Sequence, residues 1–392
     1  STNGAGLIHV YGTLKMDGGA LYNGGTTDLG GAIKVKDGNV QLNGTLIANC
    51  WSNGATFSEN RGGAMAILDK SKVMLTGCTI RGCSANEEGG AIYMDVTVTV
   101  SNQQLNGWML DWTVTDPARL LSKFEESNDG ILLINKSTIS GCTASDEEGG
   151  AIHQDDGVIA VFDSSIRNCR AKSDDAGGIY QDKGLLFCRN VLFESNEADD
   201  EGGAICKNTT GLTRLINCTF KGNRANDEGG AIMQREEMLH LENCTLTGNA
   251  AAKKGGAIYV EDGSGVELGG KIIIRDNDGE DSFDNLVLEK GAYLYDQGLI
   301  KESEVHVVSS DSGDTYLTNE DHNKYKISET QQTFFVADKG TLFMSDGEQR
   351  NNQLQASAFS DGYYIVLAGL AVIVMAIIAG VVTVLNRRQK GK

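Results

Sequence analysis

Five acidic doublets punctuate the chain at corresponding places: Glu87 and Glu88, Glu147 and Glu148, Asp174 and Asp175, Asp200 and Glu201, Asp227 and Glu228; at the next such place stand Lys253 and Lys254. If the doublets stack one strand spacing apart, about 4.8 Å, neighbouring carboxylates repel by roughly 1 kcal/mol even at water-like dielectric. Such a column needs solvent, salt or a cation. Ca²⁺ is the natural ion, because it is held by several carboxylate and carbonyl oxygens. With no ion and no cofactor, the same column is a solvated acidic edge. A second kind of chemistry is suggested by "HQDD", His153 to Asp156. Paired acids are the residues that act as acid and base in glycoside hydrolysis. Asp155 and Asp156 fall where Asp37, Gly38 and Asp182 fall elsewhere, however, so turn chemistry accounts for them and no catalytic residue is expected.

Nine cysteines are an odd number for a complete disulfide framework. Aligned on the repeat described next, they form two columns: Cys83, Cys142 and Cys169 in one, Cys78, Cys218 and Cys244 in the other. Neighbours such as Cys142 with Cys169, or Cys218 with Cys244, would place their Cα atoms about 4.8 Å apart, inside the disulfide window of about 4.4 to 6.8 Å. Buried thiols are the other reading, since Cys is a small buried residue. No Cys-x-x-Cys or Cys/His pairing occurs, so a zinc site is not expected.

What must position these groups is a repeat. Its motif starts at Gly30, Gly62, Gly89, Gly149, Ala176, Gly202, Gly229 and Gly255, mostly 26 or 27 residues apart. The pairs Gly149 and Gly150, Gly202 and Gly203, Gly229 and Gly230 are followed by a small residue and then by Ile152, Ile205 and Ile232. A second register ends six or seven residues before each motif, at Cys83, Cys142, Cys169, Asn196, Asn223 and Asn249. Between them lie short alternating runs such as "VIAVF", Val158 to Phe162, which read as strands. A unit of this length with about three strands cannot bury an apolar face alone, but stacked units share one core. The expected fold is therefore all-β, a right-handed parallel β-helix of about ten coils. The glycines relax a crowded corner, the small residue lets coils approach, the isoleucine fills the interior, and each Asn hydrogen-bonds to the Asn of the next coil.

At these residues the chain resembles right-handed parallel β-helix proteins of bacterial surfaces. The "GGAI" and "FxxN" pair, with Phe57 to Asn60, Phe193 to Asn196 and Phe220 to Asn223, looks like the repeats of chlamydial polymorphic outer-membrane proteins, which are adhesins. The stretch from Gly269 to Val307 is similar to the closing coils of large repeat surface proteins of Gram-positive gut bacteria. The resemblance covers residues 5 to 308 and implies a cell-surface adhesin or binding stalk directed at host or matrix glycans or proteins. Pectate lyases share this fold, and polygalacturonases have paired acids, so a polysaccharide-binding or polysaccharide-degrading protein is the alternative. The "NTD", "GHG" and "RIK" patterns of the polygalacturonases are missing, and Arg-Pro motifs cannot exist with Pro117 as the sole proline. A non-enzyme is expected.

Residues 1–308 are read as the β-helix ectodomain, with an excursion at 96–128 where one spacing stretches to 60 residues. That excursion holds Trp108 and Trp112, which suit sugar rings or a partner protein, or which seal a short helix after Pro117 against the coils. Residues 309–362 are polar and read as a membrane-proximal cap and spacer, with a hairpin from Thr333 to Met344. Tyr363 to Leu385 contains no charged residue and as a helix would span about 34 Å, enough to cross a bilayer. Arg387, Arg388 and Lys390 follow in the tail 386–392, as expected of a cytoplasmic end. No sorting motif of the "LPxTG" kind precedes the apolar segment, so a single-pass plasma-membrane anchor with an extracellular N-terminal part is expected. A formal charge of −19 opposes binding to phosphate backbones, and nucleic acid is not an expected partner.

Overall fold

In the computed structural model the repeats close into coils of four strands, as in Ile205–Lys207, Leu212–Ile216, Thr219–Lys221 and Arg224–Ala225, save that the coil beginning at Ile258 has three strands and an isolated bridge at Asp278 in the fourth place. The fourth strand holds only two residues, too few to show alternation, which is why the sequence suggests about three. The structure describes residues 6–54, 60–96, 130–279, 285–299 and 302–309, with the strand backbones Tyr316–Asn319, Lys324–Lys326, Gln332–Val336 and Leu342–Ser345. Trp108, Trp112, the segment 363–385 and the tail 386–392 lie outside the described residues. No helix among the described residues is long and apolar enough to cross a membrane. All described residues belong to one compact unit, Ser1–Gln355.

Corresponding strands stack in parallel, giving a right-handed β-solenoid of about 9 turns. The register is set by the repeat: Ile152 pairs with Ile179, Ile179 with Ile205, Ile205 with Ile232 and Ile232 with Ile258. All five isoleucines are fully buried in one continuous core. A one-residue slip would turn that whole column outward, so the hydrophobic pattern pins the register. Phe193 and Phe220 stack inside the coil at 4.7 Å with nearly parallel rings.

The two glycines of the motif do different work. The first has positive φ, 64° at Gly202 and 67° at Gly229, a left-handed conformation that glycine adopts without a Cβ clash. The second is kept bare by the neighbouring coil: a Cβ on Gly203 would lie 2.3 Å from the carbonyl oxygen of Gly230. Ala176 takes the place of the first glycine in its coil and is held at a φ of 59°.

Buried polar columns satisfy the corners. Asn196, Asn223, Asn249 and Asn277 form a hydrogen-bonded ladder beneath the third face. Coils nearer the N-terminus put Cys50, Cys83, Cys142 and Cys169 at this position, and the switch is direct: the N–H of Cys169 donates to Asn196 Oδ1 at 3.1 Å. A second column, not singled out in the sequence, consists of Gln154, Gln181, Lys207 and Gln234, whose amide or ammonium nitrogens donate to turn carbonyls between the first and second strands. The disulfides allowed by spacing, Cys142 with Cys169 and Cys218 with Cys244, are not formed; all nine cysteines are buried thiols. Burial pushes the Cys78 thiol up, and contact with Cys142 raises that of Cys83 to about 12.

On the second face the outward positions Ile131, Leu133, Val158, Ala160, Phe162, Leu185 and Phe187 are buried as well, so the alternation expected of "VIAVF" is lost there. In the sheet that holds the isoleucine column parallel stacking ends at Glu304–Ser309, which pairs antiparallel with Gln332–Val336, and that strand pairs antiparallel with Leu342–Ser345, the hairpin read at Thr333 to Met344; on the second face parallel pairing runs on to Tyr316–Asn319, which then pairs antiparallel with Lys324–Lys326.

Candidate functional site

The first strand of each coil turns its middle residue outward, and these residues stack into a row: Ala66, Tyr93, His153, Tyr180, Cys206, Met233 and Tyr259. Where an acidic doublet precedes the motif its carboxylates reach this row, as Glu88 does to His153 and Asp175 to Cys206. Charge and aromatic rings therefore meet in a polar seam along one side of the rod. His153 lies in it between Tyr93 and Tyr180, with ring centroids 5.7 and 5.0 Å away, and is 4% exposed.

Three carboxylates surround that imidazole. Nε2 of His153 is 3.4 Å from Glu88 Oε2 and 3.6 Å from Asp155 Oδ1, and Nδ1 is 3.9 Å from Glu148 Oε2. The other oxygen of each near carboxylate is held from outside: Arg61 Nη2 pairs with Glu88 Oε1 at 3.0 Å, and the Tyr93 hydroxyl donates to Asp155 Oδ2 at 2.5 Å. Arg61 also donates to the Tyr93 oxygen, at 3.0 Å. Burial pushes the Glu88 carboxyl up to about 8 against the pull of His153 and Arg61. Asp155 goes the other way, to about 2, because hydrogen bonds from His153 and Tyr93 outweigh its burial. Burial alone would lower the His153 pKa, but Asp155, Glu88 and Glu148 raise it.

The sequence assigns Asp155 and Asp156 to a turn. That holds for both, which lie between the strands Ile152–Gln154 and Val158–Phe162, and Asp156 Oδ1 accepts the Gly157 N–H at 2.7 Å. From the same turn the Asp155 side chain reaches back into the seam beside His153 and Tyr93, a contact that turn chemistry does not foretell.

Further along, the doublets do gather. Carboxylate oxygens of Glu88, Glu147 and Glu148, of Asp174, Asp175 and Asp200, and of Asp200, Glu201 and Asp227 lie within 4.8 Å of one another in each group. Counter-charges come from the chain itself. Arg235 reaches Asp175 at 2.8 Å and Glu201 at 2.7 Å, and Lys253 pairs with Asp227. Burial still pushes Glu201 and Glu228 up to about 7, the first against the pull of Arg235 and the second helped by Asp227. Arg235 was not legible as part of this column, because it follows the strand rather than the doublet.

At the N-terminal end the row opens into a depression of about 400 Å³ lined by His9, Tyr11, Lys34, Lys36, Arg61 and Tyr93, with Asp69 and Asp95 among its walls. Tyr11 is 66% exposed. Its lining combines the exposed Tyr11 ring with cations that each hold a carboxylate, Lys34 with Asp28, Lys36 with Asp69 and Arg61 with Glu88.

A family model described as right handed beta helix region matches residues 121–331, more than half of the chain, and the chain belongs to that family. No curated protein and no solved structure matches it. Members of one fold carry out unrelated functions, so function must be argued from the seam and its depression.

Proposed function

We propose that this chain is a cell-surface adhesin or binding stalk, a β-helix rod that presents one long side to glycans of a host or matrix. In this proposal residues 363–385 anchor it in the plasma membrane, the rod lies outside, and Trp108 and Trp112 add contacts from the excursion. The observation that carries the reading is the depression on the outward row. The exposed Tyr11 ring suits the C–H face of a sugar, the exposed Lys36 at the rim suits a carboxylate or sulfate group, and Asp69 and Asp95 suit hydroxyls. The ligand class that fits is an acidic oligosaccharide.

One specific observation favours a second reading, a polysaccharide-degrading, pectate-lyase-like enzyme. Glu88 and Asp155 are neighbouring carboxyls driven in opposite directions, to about 8 and about 2, and such a pair is how one site holds an acid beside an ionised partner. Incubation of the full chain with pectin, alginate, sulfated and neutral glycans separates the readings. Retention of an acidic glycan without new reducing ends or unsaturated products supports the adhesin. Turnover supports the enzyme, and neither retention nor turnover rejects both.

A further inference from the structure

We infer that Glu88, His153 and Asp155 form a binding site for a divalent transition-metal ion of the zinc class. The three donor atoms, Glu88 Oε2, His153 Nε2 and Asp155 Oδ1, lie within 4.8 Å of one another. Three corners of a tetrahedron around an ion with bonds of about 2.0–2.2 Å are separated by about 3.3–3.6 Å. The two separations from the imidazole nitrogen are 3.4 and 3.6 Å.

An independent observation points at a ligand. Glu88 is 8% exposed, and its Oε2, the oxygen facing the imidazole, is buried without a hydrogen-bond partner. A buried carboxylate oxygen without a partner carries an uncompensated desolvation cost, and an ion between it and the imidazole removes that cost. The surroundings are those of a prepared site. Arg61 and Tyr93 each hold the far oxygen of a donor carboxylate, and Nε2 of His153 faces Glu88 and Asp155, while Nδ1, 3.9 Å from Glu148 Oε2, makes no hydrogen bond. A nitrogen donor with two carboxylates favours zinc-class ions over Ca²⁺ or Mg²⁺, which take oxygen alone. Asp155 is the most exposed of the three, its side chain 37% accessible, and leaves a route for the ion and for a fourth, solvent ligand. This set contains no cysteine and is built from an acidic doublet and the next coil's first strand and following turn.

The site stands whether or not the rod binds glycans, and its test involves none. The full chain is titrated with Co²⁺, which reports tetrahedral coordination through visible absorption bands and reports thiolate ligands through a separate charge-transfer band. One equivalent of Co²⁺ should give the visible bands without thiolate charge transfer, and Zn²⁺ should displace it. His153→Phe, which keeps a ring between Tyr93 and Tyr180, and Asp155→Asn should each abolish the bands while circular dichroism stays native. Tyr93→Phe should weaken binding about tenfold. If His153→Phe does not fold, Asp155→Asn decides. Absence of the bands in folded wild type, their persistence in Asp155→Asn, or a thiolate band lost in Cys142→Ser would overturn the proposal.

Discussion

Asn223 Oδ1 accepts two hydrogen bonds from Asn196, one from its backbone N–H and one from its side-chain Nδ2, each 3.0 Å long. Asn223 passes the pattern on, its own Nδ2 donating to the Phe193 carbonyl and to Asn249 Oδ1. Asn223→Ala leaves the Asn196 N–H buried and unpaired at about 1–3 kcal/mol and removes the side-chain bonds to the Phe193 carbonyl and Asn249 Oδ1 at about 1 kcal/mol each. Urea unfolding should show a loss of about 3 kcal/mol, and a loss under 1 kcal/mol would mean that the ladder carries no stability.

The glycine pair predicts opposite outcomes for similar changes. Ala176→Gly relieves an L-residue from the left-handed region and should stabilise the rod by about 1 kcal/mol. Gly203→Ala should destabilise it by several kcal/mol or prevent folding, since its Cβ would meet the Gly230 carbonyl at 2.3 Å and that backbone cannot retreat from a stacked coil. Thermal melting of the two variants checks both signs.

Lys207 is fully buried, and its ammonium donates to the carbonyls of Thr209 and Glu236. Burial lowers its pKa from 10.5 to about 8. Between those two values the unfolded chain keeps the proton that the folded chain has lost, so this residue makes stability rise with pH across the window; below about pH 8 the cost of the buried charge is present in full. The stability difference between wild type and Lys207→Met should shift in favour of wild type by about 3 kcal/mol from pH 8 to 10.5. A flat difference would show that Lys207 titrates as in solvent.

Arg235 is the counter-charge of the acidic column, bridging Asp175 and Glu201. Arg235→Gln strands two largely buried carboxylates and should cost about 3 kcal/mol. Millimolar Ca²⁺ should restore part of that loss in the variant, by neutralising the same oxygens, and shift the wild-type melting temperature less. Equal calcium responses in both proteins would contradict this role for Arg235.

The coils were legible because their determinants recur. A fully buried Ile at one place in successive repeats and an Asn or Cys at another define the interior and a corner without any knowledge of neighbours. The site was not legible for the converse reason. Glu88 belongs to the doublet column and His153 to the outward strand row, and each column taken alone reads as solvated edge or free position. Only the stacking of one coil on the next, across the 96–128 excursion, places the doublet of the first over the strand of the second. The signal in the sequence is small: a histidine flanked in its row by Tyr93 and Tyr180. The Gln154, Gln181, Lys207 and Gln234 column escaped notice because Lys207 breaks the amide pattern while serving the same carbonyls.

The account rests on the outward row as the ligand-binding side, and the most direct measurement is the dissociation constant of the full chain for acidic oligosaccharides, compared with that of a Tyr11→Ala, Lys36→Glu double variant. Both side chains are exposed at the rim of the depression, so melting should be unchanged. The account predicts at least a tenfold weaker dissociation constant in the variant, the equivalent of about 1.4 kcal/mol. Equal affinity in the two proteins at unchanged melting would contradict it.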